Sequence, residues 1–332
     1  MKAIFRSSST ALSLLSVRFV ELRVIGKQLS ISACRRMYST GRERRLHLHD
    51  YPADVQKLAT FANEARAGNY QVSHLLSQVD PSLNQAKAYQ VAAAICALRR
   101  DAGEQPVGRK IGFTNRNIWP EYNIDASNWS YMYDRTVTDL TVTAEKEQPP
   151  VQIDVSNISN LEPKLEPEII LGLKKKPHSG MTDLQLLDCV GWISHGFEIV
   201  QSIFPGWRFT AADTTAAFAL HGHLLVGSKI PTAELGSAES VLHSLQSFTI
   251  DLFRDGELVD RGAGANVLGS PVNALRHLCE LVEQDEWNLP VAKDEIVTTG
   301  TLTRAWKIKD QATWETQVTG LAVSGLHCKF VA

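Results

Sequence analysis

The chain has 332 residues, of which 44% are hydrophobic and 21% are charged, and its formal net charge is −2. This composition is typical of a globular protein with a sizeable core. No stretch reaches the about 18 apolar residues that a membrane-spanning helix needs, so we expect no membrane partner. Residues 1–38 hold seven Lys or Arg and one acid, which leaves 27 basic and 35 acidic residues elsewhere, a net charge of −8. Because phosphate binding needs a basic surface, this acidic body argues against a nucleic acid partner.

The first segment in chain order is the basic leader, residues 1–38. It is rich in Arg and Ser, and its apolar residues Leu12, Leu15 and Phe19 recur as on an amphipathic helix. Mitochondrial transit peptides have this composition, because the membrane potential draws a cationic amphipathic helix inward. The stretch 35–40 (RRMYST) resembles a matrix-protease cleavage site. We therefore predict import into the mitochondrial matrix and a leader that takes no part in the fold, with a disordered tail on a cytosolic protein as the alternative.

Residues 39–106 form a predicted helical N-terminal region. Apolar residues recur near the 3.6-residue helical period between residues 55 and 62. The sequence DPS at residues 80–82 predicts the start of a second helix, because Pro is favoured at the first helical position.

Residues 107–332 form a predicted β-rich catalytic domain, in which short strand-like runs alternate with turns. The predicted strands are residues 109–113, 169–173, 197–200, 223–226, 248–254 and 322–331. Two helices are predicted at residues 182–191 and 271–283, and Asp255-Gly256 is a hairpin signal. The predicted fold class is therefore α+β, with a helical N-terminal lobe packed on a β-rich body.

Three glutamates are the most informative residues of this domain. Glu166 and Glu168 lie two apart on a predicted strand and so share one face, where their charges repel unless a proton or a cation lies between them. Glu198 lies inside another apolar run, where a charged residue is usually paired or bound to metal. Carboxylates without His or Cys favour a hard cation, Mg²⁺ or Mn²⁺. A solvated strand face is the alternative, and Pro167 indicates an edge strand or a bulge.

Six segments resemble, in order and spacing, the 2-keto-4-pentenoate hydratase and 2-oxo-3-hexenedioate decarboxylase branch of the fumarylacetoacetate hydrolase superfamily. They are residues 107–114 (VGRKIGFT), 165–173 (LEPEIILGL), 196–200 (GFEIV), 213–227, 262–275 (GAGANVLGSPVNAL) and 299–304 (TGTLTR). The resemblance implies a fumarylacetoacetate-hydrolase-type β fold and a homo-oligomer. It also implies one divalent ion, Mg²⁺ or Mn²⁺, on Glu166, Glu168 and Glu198.

The resemblance also implies roles for individual residues. Lys110 matches the family's active-site lysine, which would hold the substrate carboxylate or relay protons. Asp134 stands where the family has a pocket aspartate, an expected general base, and Thr301 matches a loop that grips the substrate. The chain departs from the family at Leu220, which replaces a pocket serine, and the neighbouring His221 is an expected substrate contact. Purely structural roles are the alternatives: a surface lysine, turn residues and a core histidine.

The predicted function is a metal-dependent lyase of aromatic catabolism that acts on a small unsaturated 2-keto acid. It would hydrate a 2-hydroxy-2,4-dienoate or decarboxylate a 2-oxo-hexenedioate, and the sequence does not separate these reactions because both pass through a metal-bound dienolate. One alternative is C–C hydrolysis of an acylpyruvate, which needs a His–acid dyad, and His195, His221 and His223 form no evident one. A catalytically silent binding or assembly partner is the second alternative, against which the three carboxylates and Lys110 argue.

Overall fold

The computed structural model describes residues 23–24, 46–140 and 149–331. The predicted transit peptide lies outside the described residues except at Arg23–Val24, which form strand β1 and pair antiparallel with residues 153–154. At these two residues the structure differs from the expectation that the leader takes no part in the fold. None of the helices in the described ranges is long and apolar enough to cross a membrane.

The helices form an N-terminal lobe and several short covers over the sheets. In the described part of the chain they are α1 (Ala53–Ala67), α2 (Leu76–Val79), α3 (Gln85–Asp101), α4 (Trp119–Tyr122), α5 (Asp183–Cys189), α6 (Ala211–Ala216), α7 (Ala238–Ser247) and α8 (Pro271–Glu283). The predicted N-terminal helices correspond to α1 and α3, and the predicted later helices to α5 and α8. Helices α4, α6 and α7 were not predicted.

The second N-terminal helix begins later than the DPS sequence predicted. The Asp80 carboxylate accepts a hydrogen bond from the Ser82 N–H at 2.9 Å, which holds these residues in a turn. The Asn84 side chain accepts from the Lys87 N–H at 3.0 Å and caps the helix. Because Asn84 supplies this cap, α3 begins at Gln85.

The strands form two sheets. In the described ranges they are β1 (Arg23–Val24), β2 (Pro106–Gly112), β3 (Asn128–Tyr133), β4 (Val137–Asp139), β5 (Val151–Asp154), β6 (Lys164–Leu173), β7 (Val190–Val200), β8 (His221–Val226), β9 (Ile230–Pro231), β10 (Thr249–Arg254), β11 (Glu257–Ala263), β12 (Ile296–Thr298), β13 (Trp306–Lys307), β14 (Thr313–Thr319) and β15 (His327–Val331). One sheet has the order β1-β5-β15-β14-β10-β11, and the other has the order β3-β2-β12-β6-β7-β8-β4, with β13 on β6 and β9 on β7.

Most strand predictions are confirmed. The runs predicted near residues 109, 169, 197, 223 and 248 are β2, β6, β7, β8 and β10, and the run at 322–331 is a strand only over β15. Asp255 and Gly256 link β10 to β11 with φ angles of 53° and 83°, as the hairpin signal predicted.

Pro167 does not mark an edge strand, because β6 lies inside the larger sheet between β12 and β7. Its missing N–H is tolerated because β12 leaves the ladder there. The neighbouring chain at this point is the loop after β12, whose Leu302 N–H donates to the Pro167 carbonyl at 3.0 Å. The loop that replaces a strand beside Pro167 also reaches the carboxylates described below.

The helical lobe and the β body share one hydrophobic core. Val55 and Leu58 of α1 belong to the same buried cluster as Phe197 of β7 and Trp314 of β14. Each such side chain contributes about 1.5–3 kcal/mol on burial. The N-terminal region therefore packs as part of one folding unit with the sheets.

Candidate metal centre and active site

The three predicted carboxylates meet on adjacent strands. Strands β6 and β7 are antiparallel with Glu166 directly opposite Glu198, and Glu168 follows on the same face of β6. Glu168 and Glu198 have no solvent exposure. One oxygen from each of the three carboxylates lies within 4.8 Å of the others. The pairing register therefore gathers three acids in a space that water barely reaches.

The electrostatics of this carboxylate cluster favour a bound cation. Burial raises the pKa of Glu166 to about 7, and Lys110 opposes that shift. Burial and the two neighbouring carboxylates raise the pKa of Glu168 well above its usual value. Burial also opposes ionisation of Glu198, but Lys110 and His221 outweigh it and hold its pKa at about 2. Three ionised carboxylates at this spacing need a proton or a cation between them.

The residues present fit a divalent metal ion. Glu168 Oε2 accepts a hydrogen bond from the Gly300 N–H at 2.8 Å, whereas its Oε1 is buried and has no hydrogen-bond partner among the described residues. A buried carboxylate oxygen without a partner is costly unless something else binds it. An all-carboxylate donor set is the one that hard cations such as Mg²⁺ prefer, and it does not distinguish Mg²⁺ from Mn²⁺.

Lys110 is a buried cation beside the carboxylates, as the resemblance predicted. Its Nζ lies 3.2 Å from Glu198 Oε2 and donates to the Ala219 carbonyl at 3.1 Å. Burial alone would lower the pKa of Lys110, but Glu198, Glu166 and Glu168 outweigh it and raise that pKa. The side chain is therefore charged at neutral pH. A charged lysine can bind an anion, but it cannot accept a proton as a base.

The turn that faces Lys110 has a strained backbone. Phe218, Ala219 and Leu220 have φ angles of 64°, 45° and 66°, all in the left-handed region. Such conformations cost roughly 1–3 kcal/mol for a non-glycine residue and cluster at functional sites. The Arg66 guanidinium lies 5.3 Å from the centre of the Phe218 ring and packs against this turn. The turn directs the Ala219 carbonyl at Lys110 and places Leu220 at the cavity wall.

His221 does not contact the cavity, contrary to its expected role in substrate contact. Its Nδ1 lies 2.8 Å from Glu198 Oε1 and its Nε2 lies 3.0 Å from Thr136 Oγ1. Burial lowers the pKa of His221 to about 4 despite the opposing effect of Glu198, so the ring is neutral at pH 7. A His–acid pair therefore exists, but both ring nitrogens are occupied, and the imidazole acts by orienting Glu198.

We expect His221→Ala to weaken divalent-ion binding by about 10–100-fold, because partners that orient a metal ligand have effects of this size. His223→Ala is the matched control. His223 is equally buried two residues along β8, and its Nε2 lies 2.8 Å from Thr138 Oγ1. The control should lose stability while its ion affinity stays within about threefold of wild type. Calorimetric titration of both variants with Mg²⁺ checks this, and equal affinities would refute the orienting role.

A narrow cavity of about 20 Å³ lies against the cluster, with room for about one water molecule. Among the predicted residues, Lys110, Glu166, Leu220 and Thr301 line it. Phe113, Tyr122 and Trp207 form its aromatic wall, which was not predicted from the sequence. Tyr122 and Trp207 come from short segments without helical or strand periodicity, and Phe113 follows the end of β2 with a φ of 55°, so no pattern predicted the direction of these rings.

Asp134 finds no support as the general base. It is half-buried, and its Oδ1 accepts a hydrogen bond from the Gln105 N–H at 3.1 Å. Its own N–H donates to the Gln105 carbonyl at 2.9 Å. Asp134 is not among the residues that line the cavity, and the structure gives it the role of a turn residue. Thr301 lines the cavity, with its hydroxyl donated to the Thr303 carbonyl at 3.1 Å.

We expect Gly300→Ala to lower the free energy of unfolding by about 3 kcal/mol or more, through strain and overpacking. Gly300 has a φ of 95°, and a Cβ there would lie 1.7 Å from Thr114 Oγ1. Gly256→Ala separates the two causes. Gly256 has a φ of 83° with nothing within 4 Å of such a Cβ, so that variant should lose about 1–2 kcal/mol. Urea unfolding measures the free energy of unfolding of both variants. Equal losses would show that contact between the Gly300 Cβ position and Thr114 adds no destabilisation.

The chain is similar in sequence to known hydratases and decarboxylases. No family model matches the chain. The 2-keto-4-pentenoate hydratase of Paraburkholderia xenovorans is 27% identical over 243 residues, which cover 73% of this chain and 82% of that protein. The 4-oxalocrotonate decarboxylase of a Pseudomonas sp is 26% identical over 231 residues, 69% of this chain and 81% of that protein. The 2-hydroxyhexa-2,4-dienoate hydratase of Comamonas testosteroni is 24% identical over 228 residues, 68% and 80% respectively.

A solved structure shows the same fold. The 4-oxalocrotonate decarboxylase from Pseudomonas putida G7, complexed with magnesium and adipate, matches with a TM-score of 0.72 at 20% identity. The match covers 87% of this chain and all of that one, and it confirms the predicted α+β class. The relatives confirm the prediction of an enzyme. By sequence the chain is similar to 2-keto-4-pentenoate hydratases and a 4-oxalocrotonate decarboxylase, as the resemblance predicted, and it shares the fold of a 4-oxalocrotonate decarboxylase.

Proposed function

We propose that the protein is a divalent-metal-dependent lyase that hydrates or decarboxylates a small unsaturated 2-keto acid. The observation that carries the proposal is the buried cluster of Glu166, Glu168 and Glu198 beside Lys110, at a narrow cavity. The names of the relatives support this reaction class: hydratases and a decarboxylase of small keto or hydroxydienoic acids.

A divalent ion on the three carboxylates would draw electron density from the 2-oxo group of a keto acid and stabilise the developing enolate charge. The chain's own residues would bind the substrate, orient the metal ligands and exclude water. The Lys110 ammonium would hold the substrate carboxylate, while His221 and the Gly300 N–H orient two of the acids. The rings of Tyr122 and Trp207 would exclude bulk water from the reacting atoms.

Proton transfer has few candidates in this cavity. Of the described residues that line it, the titratable ones are Lys110, Glu166 and Tyr122. The pKa of Glu166, about 7, would suit proton exchange without the ion, but as a metal ligand Glu166 is ionised. Lys110 is therefore the proposed proton donor to the enolate carbon, since its ammonium is charged and next to the reacting end.

C–C hydrolysis of an acylpyruvate is the alternative chemistry. It needs a histidine that activates water, and no histidine of the described chain lines the cavity. His221 hydrogen-bonds at both nitrogens behind Glu198, so it is not free to do so. The geometry therefore favours the lyase. A catalytically silent partner would have no need for a buried carboxylate cluster that costs folding energy.

The test is turnover of a small substrate panel by the full chain with Mg²⁺ and with Mn²⁺. The panel contains 2-hydroxypenta-2,4-dienoate, 2-oxo-3-hexenedioate and an acylpyruvate, followed by ultraviolet absorbance with product separation. We expect the protein to consume one of the first two substrates and to form a water adduct or carbon dioxide. Excess chelator should stop this reaction. Cleavage of the acylpyruvate alone would overturn the lyase proposal in favour of the hydrolase.

The proposal includes action in the mitochondrial matrix by a homo-oligomer. The composition of residues 1–38 supports import, and the resemblance supports oligomerisation. Terminal sequencing of the protein isolated from cells tests the first, because import predicts a new N-terminus near residue 38. Light scattering tests the second, and a monomer would contradict it.

A further inference from the structure

Arg66, in the last turn of α1, is a buried cation that forms no ion pair with an acid of the described chain. The residue is 3% exposed, and its Nε is buried without a hydrogen-bond partner among the described residues. Burial lowers the pKa of Arg66 to about 9, and the neighbouring Arg99 adds to this shift, so the guanidinium is still charged at pH 7. Because a buried charge without an acid partner costs stability, Arg66 is not explained as a stabilising residue.

The contacts of Arg66 lie at both ends of residues 218–222, which include the three left-handed residues of the strained turn. Its Nη2 donates a hydrogen bond to the Gly222 carbonyl at 2.7 Å, and its guanidinium lies over the Phe218 ring. A Cβ at Gly222 would lie 2.5 Å from the Ile199 carbonyl oxygen, so the backbone there packs tightly against β7. Left-handed residues other than glycine persist only where their surroundings hold them in place. Arg66 therefore joins the helical lobe to a turn that needs to be held.

The same turn holds the Lys110 ammonium. Lys110 Nζ lies 3.2 Å from Glu198 Oε2 and donates to the Ala219 carbonyl at 3.1 Å. A divalent ion on Glu198 would compete with Lys110 for that carboxylate, because both are cations. The Ala219 carbonyl would then be the partner that keeps the ammonium in place. The direction of the Lys110 side chain therefore depends on the conformation of the turn.

We propose that Arg66 is a positioning residue for the active site: it holds residues 218–222 so that the Ala219 carbonyl fixes Lys110 for the substrate carboxylate. This inference deepens the proposed function and rests on it for the role of Lys110. Arg66 is not among the residues that line the cavity, so it acts through the turn and not by contact with the substrate. The helical lobe thereby contributes to the site, although α1 lies outside it.

The test is calorimetric titration of the full chain with Mg²⁺ alone, and with pyruvate at saturating Mg²⁺. Arg66→Met keeps an unbranched side chain but removes the charge and the donors. We expect it to raise the dissociation constant of pyruvate about tenfold, the effect of one lost hydrogen bond. The affinity for Mg²⁺ should stay within about threefold of wild type, because Arg66 contacts no carboxylate of the cluster. Arg66→Lys, which keeps a charged donor, should retain most of the pyruvate affinity.

Arg99→Met is the matched control, because the Arg99 guanidinium lies 5.6 Å from the centre of the same Phe218 ring but donates to Glu104 and not to the turn. The control should lose stability and keep the pyruvate dissociation constant within about threefold of wild type. Equal weakening in both variants would show that packing on Phe218 holds the turn, which overturns the inference. A purely structural role of Arg66 would lower the fraction of chains that bind and leave the dissociation constant unchanged, and that result also overturns it.

Amide hydrogen exchange of the metal-free full chain separates this inference from the proposed function. The Leu220 N–H donates to the Ala217 carbonyl at 3.1 Å, so its exchange reports opening of the turn. In Arg66→Met, exchange at residues 218–222 should be about tenfold faster, with the protection of β6 and β7 unchanged. Unchanged exchange at the turn overturns the inference. Faster exchange at the turn, together with no pyruvate binding by wild type at saturating Mg²⁺, would support the action of Arg66 on the turn and overturn the proposed function.

Discussion

Replacing Glu198 with Gln is expected to lower kcat/KM by at least about a thousandfold, because several kcal/mol of charge stabilisation would be lost with the ion. Glu198 is the carboxylate that lies close to most other polar groups of the site. It lies opposite Glu166, 3.2 Å from Lys110 Nζ and 2.8 Å from His221 Nδ1. An amide of the same shape cannot supply the negative charge that the ion and the lysine share. Steady-state kinetics on the preferred substrate, with Mg²⁺ varied to saturation, measures the loss.

Glu295→Gln is the matched control for this experiment. Glu295 is also a buried carboxylate in an ion pair, with its Oε2 3.2 Å from Arg109 Nε. Arg109 precedes Lys110 on β2 and so projects from the opposite face of the sheet. The control should lose about 3 kcal/mol of stability and keep kcat/KM within about threefold, because it breaks a buried pair away from the cavity. A similar kinetic loss in both variants would show that Glu198 acts through folding alone.

Lys110→Met is expected to reduce kcat/KM by about 10²–10⁴-fold, the range for a positioned proton-transfer group. The metal-free protein should also lose about 3 kcal/mol of stability, because the three buried carboxylates would lose the lysine that pairs with Glu198. Added Mg²⁺ should restore the stability, since the ion can replace the lysine as a counter-charge. It should not restore the activity, since it cannot hold the substrate carboxylate or donate a proton.

The control is Lys87→Met, which removes a lysine that pairs with Asp54 and Asp80 at the surface of the helical lobe. Exposed pairs contribute about 0–1 kcal/mol, so this variant should show a small stability loss and unchanged kinetics. If Mg²⁺ restored the activity of Lys110→Met to the wild-type value, the catalytic role of Lys110 would be refuted and a purely electrostatic role would remain.

The carboxylate cluster was predictable because its signal is local. Acids inside apolar strands are unusual, and alternation places Glu166 and Glu168 on one face whatever the partner strand is. The register between β6 and β7, which sets Glu198 opposite Glu166, depends on long-range pairing and was not predicted from the residues. That Glu198 lies beside Glu166 and Glu168 was predicted only from the resemblance to the family.

His221 and the aromatic wall show why the rest of the site was not predictable. The register between β7 and β8 shifts between Ile199 and Val200, and such a bulge changes the direction of a side chain. His221 therefore points at Glu198 rather than at the cavity. Tyr122 ends a four-residue helix, and Trp207 follows a glycine with a φ of 64°, so neither lies on a periodic segment. Irregular backbone carries no pattern from which side-chain direction can be inferred.

The most direct test of the metal centre is calorimetric titration of the full chain with Mg²⁺ and with Mn²⁺, in wild type and in Glu168→Gln. We expect wild type to bind one ion per chain and to gain about 2.7 kcal/mol of stability at a free concentration 100 times the dissociation constant. We expect the variant to bind no such ion. The metal-free variant should also be more stable than wild type, by about 1–3 kcal/mol, since the amide removes a buried acid with an unpaired oxygen. Equal ion binding by both proteins would show that Glu168 is not a ligand of the ion.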